Sequence, residues 1–294
     1  MKKLPDLLFS RAQKNPELKF LQVKGGLELS YFESDRQVNE LAKKWTGRGM
    51  RRGAVVACLL EESPESILAI LALIRIGAVY APLPVPQPPS SLRAQLVRLN
   101  PGFFIYSKGF EGLMRSEKSF GLKAVALPKL AQGRSLSSDK GLVDLPQKKD
   151  TDTAPTWDPS QQFTFLFTSG SSGLPKIAGH SLGHFLENAL ASNKSIPFGA
   201  RDAWLLRLPL FHVGGISILF RVLLGGGIIH LPSARDKVAE SLEDATHVSL
   251  VSTQFRRIVE SRNGIKKLAG LKAVLLGGGP MREEFLRKIR SSKI

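Results

Sequence analysis

A run of hydroxyls and glycines closed by one ammonium is the part of this chain best suited to hold phosphate. It reads Thr168-Ser169-Gly170-Ser171-Ser172-Gly173-Leu174-Pro175-Lys176. Gly170 and Gly173 let the backbone bend and approach a ligand closely. Successive amide N–H groups can then converge on an anion. Thr168, Ser169, Ser171 and Ser172 add hydroxyl donors, and Lys176 adds a point charge. A Walker A loop is excluded, because no glycine directly precedes Lys176 and no Ser or Thr follows it. Composition alone would also allow a flexible Ser/Gly loop. The preceding Phe163–Phe167 run is apolar and reads as a buried strand, and a helical pattern runs from Ser181 to about Asn193. The spacing therefore predicts strand, phosphate loop, helix.

Three further constellations could do chemistry. Leu208-Pro209-Leu210-Phe211-His212-Val213-Gly214-Gly215 puts an imidazole among apolar residues at a strand-to-helix turn. A lone His there is commonly a core or helix-cap residue, but it can also be a donor that orients a carboxylate. Val274-Leu275-Leu276-Gly277-Gly278-Gly279-Pro280 is a strand entering a glycine turn, where missing side chains let a flat ring lie on the backbone. It lacks the Gly-x-Gly-x-x-Gly of a dinucleotide fold. His180 and His184 have i, i+4 spacing, but no third ligand or His-Glu-x-x-His pattern accompanies them, so no metal site is assigned. Arg221 lies in an apolar helix and needs a partner, which a structural ion pair would supply.

These elements must be positioned by a sizeable core. The chain has 294 residues, 43% of them hydrophobic, enough for one large domain or two subdomains. Apolar strands alternate with helices: a strand at 55–60, a helix over 64–76, then strands at 78–81 and 102–106. Further strands are predicted at 203–208, 227–231, 247–251 and 272–276, with helices at about 215–224, 253–261 and 282–289. Residues 20–29 read as a hairpin about Gly25-Gly26, and 31–45 as a helix. This alternation predicts an α/β fold of layered, parallel-rich sheets flanked by helices. Residues 128–162 are polar and aperiodic. They read as a linker between a first subdomain, 1–127, and a second, 163–294, that carries the phosphate loop.

Composition excludes several other roles. The lone Cys58 rules out an internal disulfide or zinc-thiolate cluster and suits the cytoplasm. The apolar stretches 66–83 and 208–231 carry Arg75 and Arg221 with Gly and Pro punctuation, so neither reads as a membrane span. Net charge is +17, and much of the excess lies late in the chain, from Arg256 to Lys293. No aromatics interleave with those bases, so a solvated basic face is the reading, not a nucleic-acid surface.

Taken in order, the loop 168–176 resembles the phosphate-loop signature of the adenylate-forming superfamily of acyl-CoA synthetases, luciferases and peptide-synthetase adenylation domains. Leu174–His180, His184, Pro197-Phe198-Gly199, Trp204-Leu205-Leu206, Leu208–His212 and Ser249–Gln254 together resemble the o-succinylbenzoate–CoA ligases of menaquinone biosynthesis. The likeness extends upstream to Ala72–Leu83; Ser252 departs from it, since those ligases usually have Pro before Thr-Gln. The resemblance implies the large N-terminal domain of the acyl-CoA synthetase fold. It implies an ATP-dependent ligase that forms an acyl-adenylate and then a CoA thioester, with magnesium on the phosphates. It places β- and γ-phosphates on the loop with Lys176, adenine on Gly277, Gly278, Gly279 and Pro280, and the acid beside His212, Gly214 and Thr253. Arg221 becomes a candidate for the acid's distal carboxylate. The resemblance also predicts a Tyr-Gly-x-Thr-Glu segment, a ribose-binding Asp, a hinge and a lid domain with a lysine. None occurs before Ile294, so the chain reads as truncated. Another aryl or fatty acid as substrate, or a non-catalytic nucleotide-binding remnant, stays open, as does a homo-oligomer or a complementary C-terminal fragment.

Overall fold

The computed structural model describes residues 3–116, 122–130, 154–168, 176–233 and 236–279, with Glu283 and Arg287. The chain opens with β1 (Leu4–Pro5), α1 (Leu7–Lys14), the hairpin β2 (Lys19–Val23) and β3 (Glu28–Ser30), and α2 (Tyr31–Gly47). Alternation follows: β4 (Val55–Leu59), α3 (Pro64–Ile76), β5 (Val79–Pro82), α4 (Pro89–Leu99), β6 (Phe103–Tyr106), α5 (Glu111–Ser116) and β7 (Lys123–Ala126). Then come β8 (Thr156–Trp157), β9 (Gln162–Thr168), β10 (Lys176–Ser181) and α6 (Leu182–Ser195). The last part runs β11 (Ala203–Leu205), α7 (Val213–Gly225), β12 (Ile228–Leu231), β13 (His247–Val251), α8 (Ser252–Val259), α9 (Gly264–Ala269) and β14 (Ala273–Gly277).

Two six-stranded sheets result, ordered β10-β9-β5-β4-β6-β7 and β14-β13-β11-β12-β2-β3. Their interior pairings are parallel, and the hairpins β9–β10 and β2–β3 are antiparallel. Period-2 alternation along β4 explains the layering. Val56 and Cys58 face a central core shared with Trp204 and Ile229 of the second sheet, whereas Ala57 and Leu59 face Leu92 and Leu96 of α4. The second sheet has its own outer core, where Leu205, Val248 and Leu250 meet Phe255 and Ile258 of α8 and Leu268 of α9. Helices α1, α2, α3, α6 and α7 fill the space between the sheets.

Helix α3 shows how the sequence dictates one of these inner elements. Ser63 caps its first turn by accepting the Ser66 amide at 3.2 Å, and Pro64 follows at a position that needs no donor. Every residue from Ser66 to Ile74 is buried, so the helix is apolar all round. Gly77 ends it at φ 78°. Arg75 in its last turn is buried but fully paired, with Asp6 at 2.9 Å and Asp35 at 2.6 Å. Among the described residues no helix is long and apolar enough to cross a membrane.

Sheet membership cuts across the division at 128–162. β2 and β3 join the second sheet, with Leu21 opposite Ile229, and β9 joins the first, with Tyr80 opposite Thr164. Parallel crossovers allow strands far apart in sequence to be neighbours, so sequence blocks and sheets need not coincide. Residues 131–153 of the supposed linker lie outside the described residues. Its described end is structural: β8 pairs with β1, and Trp157 is buried edge-on against Phe220.

Candidate active site

The phosphate-loop segment joins β9 to β10, the antiparallel pair at the edge of the first sheet. Ser169, Gly170, Ser171, Ser172, Gly173, Leu174 and Pro175 lie outside the described residues. Their flanks are placed: Thr168 and Lys176 are opposite each other in β9 and β10, both exposed. The Thr168 hydroxyl donates to the Lys176 carbonyl at 3.3 Å. The sequence reading ran from the loop into the helix; the structure inserts β10 between them. Ser181 then caps α6, accepting the His184 amide at 3.4 Å while its own amide donates to His184 Nδ1 at 3.2 Å. His180 thus sits on a strand and His184 on a helix, with one ring nitrogen of His184 already used. Among the described residues no cluster of three His, Cys, Asp or Glu could hold a metal.

The His212 turn is gripped from three sides. Glu62, just beyond β4, accepts the Leu210 amide at 3.2 Å, and the Tyr80 hydroxyl of β5 donates to the Leu210 carbonyl at 3.2 Å. Both groups belong to the first sheet, so that sheet fixes the peptide units on either side of Leu210. Burial pushes the Glu62 carboxyl up, against the amide it accepts. Gln254 supplies the third grip, donating to the Arg207 carbonyl at 3.3 Å while its Oε1 accepts the Val251 amide at 3.1 Å. Gly215 is required by packing: a Cβ there would meet the Pro209 carbonyl oxygen at 2.2 Å. Nothing in the sequence marks Glu62 or Tyr80 for this task, since Tyr80 reads as an apolar strand residue.

His212 occupies the N-cap of α7 with extended backbone, φ −113° and ψ 149°, and its side chain makes no cap bond. The imidazole lies 4.5 Å from the Phe211 ring, centroid to centroid, and makes no hydrogen bond among the described residues. Partial desolvation lowers its pKa from the ordinary value, so at neutral pH it is an uncharged imidazole that can donate from one nitrogen and accept at the other. Gly214 follows in the first turn of α7 and is half-buried.

Thr253 and the glycine turn lie at the carboxyl ends of β13 and β14. Val251, the last residue of β13, is opposite Gly277, the last of β14. Thr253, exposed at the start of α8, therefore neighbours the glycine turn. Gly278 has φ +84°, a conformation that glycine adopts without strain. A Cβ on Gly277 or Gly279 would project into open space, room a flat ring could occupy. Pro280 lies outside the described residues.

Arg221 does not form the expected ion pair. It is buried, its Nη2 donates to Asn188 Oδ1 at 3.3 Å, and its guanidinium lies 5.2 Å over the Trp204 ring. Its Nε has no partner, and no carboxylate of the described residues reaches it. Burial lowers its pKa. A cation held on an amide and a ring, with donors left over, is equipped to meet an anion.

The sequence model of the family described as AMP-binding enzyme matches residues 8–292. The chain is 32% identical over 269 residues to the 2-succinylbenzoate–CoA ligase of Escherichia coli K12, covering 91% of this chain and 52% of that protein. It is 33% identical over 253 residues to the Salmonella typhimurium enzyme of the same name, covering 85% and 48%. The chain thus spans about half the length of the curated relatives it matches. Among solved structures, an E. coli MenE variant with bound OSB-AMS aligns at TM-score 0.78 and 28% identity, covering 99% of this chain and 59% of that one. Bacillus subtilis MenE in complex with ATP and magnesium shares the fold at TM-score 0.80 and 22% identity, covering 100% and 58%. With the family model matching nearly the whole chain, the chain belongs to the AMP-binding enzyme family.

Proposed function

We propose that this chain is the nucleotide- and acid-binding part of an AMP-forming acid–CoA ligase, with o-succinylbenzoate as the acid. In the reaction a substrate carboxylate attacks the α-phosphorus of ATP and expels pyrophosphate. The CoA thiol then attacks the acyl carbon, releasing AMP and the thioester. The hairpin loop at Thr168–Lys176 holds the β- and γ-phosphates, and Lys176 offsets charge on the departing pyrophosphate. Magnesium, when bound with ATP, would offset the charge of the phosphates held at the loop. Adenine packs against Gly277–Pro280, and Thr253 and Gly214 line the acid's path. The protein works in the cytoplasm, where the lone Cys58 stays reduced, and any oligomer or C-terminal partner fragment serves to complete the enzyme.

One observation carries the reading: the unbonded His212 imidazole stands on a turn locked by Glu62, Tyr80 and Gln254, at strand ends shared with Thr253 and the glycine turn. A group so positioned, and neutral at pH 7, can hold a carboxylate at an attack angle without a competing partner. Arg221 favours a dicarboxylic acid over a simple benzoate or fatty acid, because its buried guanidinium lacks a protein carboxylate.

Hydrogen exchange tests the nucleotide half. ATP should slow exchange across 168–176, and Lys176→Ala should remove that protection; unchanged protection in the variant would take Lys176 out of the phosphate role. Calorimetry tests the acid half. o-Succinylbenzoate should bind the ATP-loaded chain more tightly than benzoate, and Arg221→Gln should erase the difference. Equal affinity in the unmodified chain would leave only the coarser ligase class.

A further inference from the structure

The outer face of the second sheet contains a cavity of about 530 Å³, lined by Arg207, Lys237, Glu240, Arg257, Arg262 and Lys267 among others. Its size falls within the roughly 300–1,000 Å³ of small-molecule sites. Its charge is one-sided. Glu240 is the lone carboxylate of the lining, and it is engaged by the Lys237 amide at 3.0 Å. Lys267 is paired at 3.0 Å with Glu243, which also takes Lys24 at 2.6 Å. Those two ammonium groups hold the Glu243 carboxyl down at about 2. Arg257 and Arg262 have no carboxylate partner among the described residues.

The frame is also fixed in place. The Arg207 guanidinium is oriented by the Asp236 carbonyl, accepting from Nη2 at 3.0 Å. Phe255 and Ile258 anchor α8 in the outer core, and the turn into α9 is so tight that a Cβ on Gly264 would fall 1.7 Å from the Ile258 carbonyl oxygen. A hollow lined by one sign of charge concentrates counter-ions. Guanidinium forks match phosphate oxygens in pairs.

We infer that this cavity is an anion site for a small molecule with adjacent phosphate groups, distinct from the hairpin loop of the proposed ATP site. The phosphates could arrive free, as pyrophosphate, or on a nucleoside, as ADP, so both are probes. The full chain carrying Lys176→Ala, which silences the hairpin loop, is titrated calorimetrically with inorganic pyrophosphate, ADP and inorganic phosphate. Pyrophosphate or ADP is expected to bind more tightly than phosphate, with the tighter of the two identifying the source. Exchange should slow at 237–240 and 257–267. Adding Arg257→Gln and Arg262→Gln should weaken binding roughly tenfold or more. Both side chains are exposed, so the thermal midpoint should hold. Three results would overturn the inference: no binding once Lys176→Ala is present, protection confined to 168–181, or unchanged affinity in the arginine variant. Binding seen only with Lys176 intact would leave the proposed ligase site standing and remove this one.

Discussion

The two sheets hold their functional segments in opposite ways. The first carries the hydroxyl loop at its outermost edge, on an antiparallel hairpin whose base is closed by one exposed pair, Thr168 and Lys176. The second carries the His212 turn after its interior strand β11, with Glu62, Tyr80 and Gln254 reaching in from several directions. A group that orients a carboxylate gains from being fixed before the ligand arrives. The contrast sets a segment at a sheet edge against a turn held by three side chains.

Changes within the second sheet should be the most damaging. Trp204 is fully buried, donates to Ser249 Oγ at 3.1 Å and underlies Arg221, so Trp204→Ala should cost about 3–5 kcal/mol. Denaturant titration reads it directly, and a loss under about 1 kcal/mol would mean the turn does not depend on that core. Next comes Gly215→Ala, where the 2.2 Å clash with the Pro209 carbonyl should force the His212 turn to shift. A loss of about 1–3 kcal/mol, with faster exchange of the His212 amide, is the expected signature. Tyr80→Phe strips the donor from a buried carbonyl and should lower stability by about 1 kcal/mol; no change would show that Leu210 is held by Glu62 alone.

Glu62 gives the comparison a pH axis. Its folded-state pKa is raised by burial above the ordinary 4.5, so the folded protein binds the proton more tightly than the unfolded chain. The resulting stabilisation is complete below 4.5 and fades as pH rises through the folded value. Glu62→Gln keeps an oxygen for the Leu210 amide and removes the titration. Its stability relative to the unmodified protein should therefore grow from pH 4 to pH 7, and parallel pH curves would show that the carboxyl does not titrate there. Lys176→Ala sits at the other extreme. With its side chain exposed, a stability change within about 0.5 kcal/mol is expected, so a larger drop would place the hairpin among the preorganised elements.

The buried elements are legible because they are apolar runs bounded by cap and turn residues. β13 falls on 247–251 and α3 on 64–76 as the pattern predicts, with the Pro64 start and Gly77 stop written into the sequence. β10 was not legible: Lys176–Ser181 is an edge strand with no fully buried residue, so it shows no apolar alternation. Its neighbour Gln162, bonding Thr164 and His180 carbonyls across the irregular register, also carries no sequence signal. The grip of Glu62 on Leu210 joins residues 148 positions apart and cannot be read from local spacing. Arg221 was singled out correctly as a cation in need of a partner, but the partners are an amide and an indole, which pattern alone does not distinguish from an acid.

The interleaving of strands has a consequence for synthesis. While the ribosome has yet to deliver Gln162, β5 waits without β9, and β2 waits still longer for β12. Neither sheet can be closed by one contiguous half of the gene. The emerging polypeptide must keep its first apolar hairpin from straying for most of translation, and splitting the reading frame between the two would yield pieces that each present an open edge to the other.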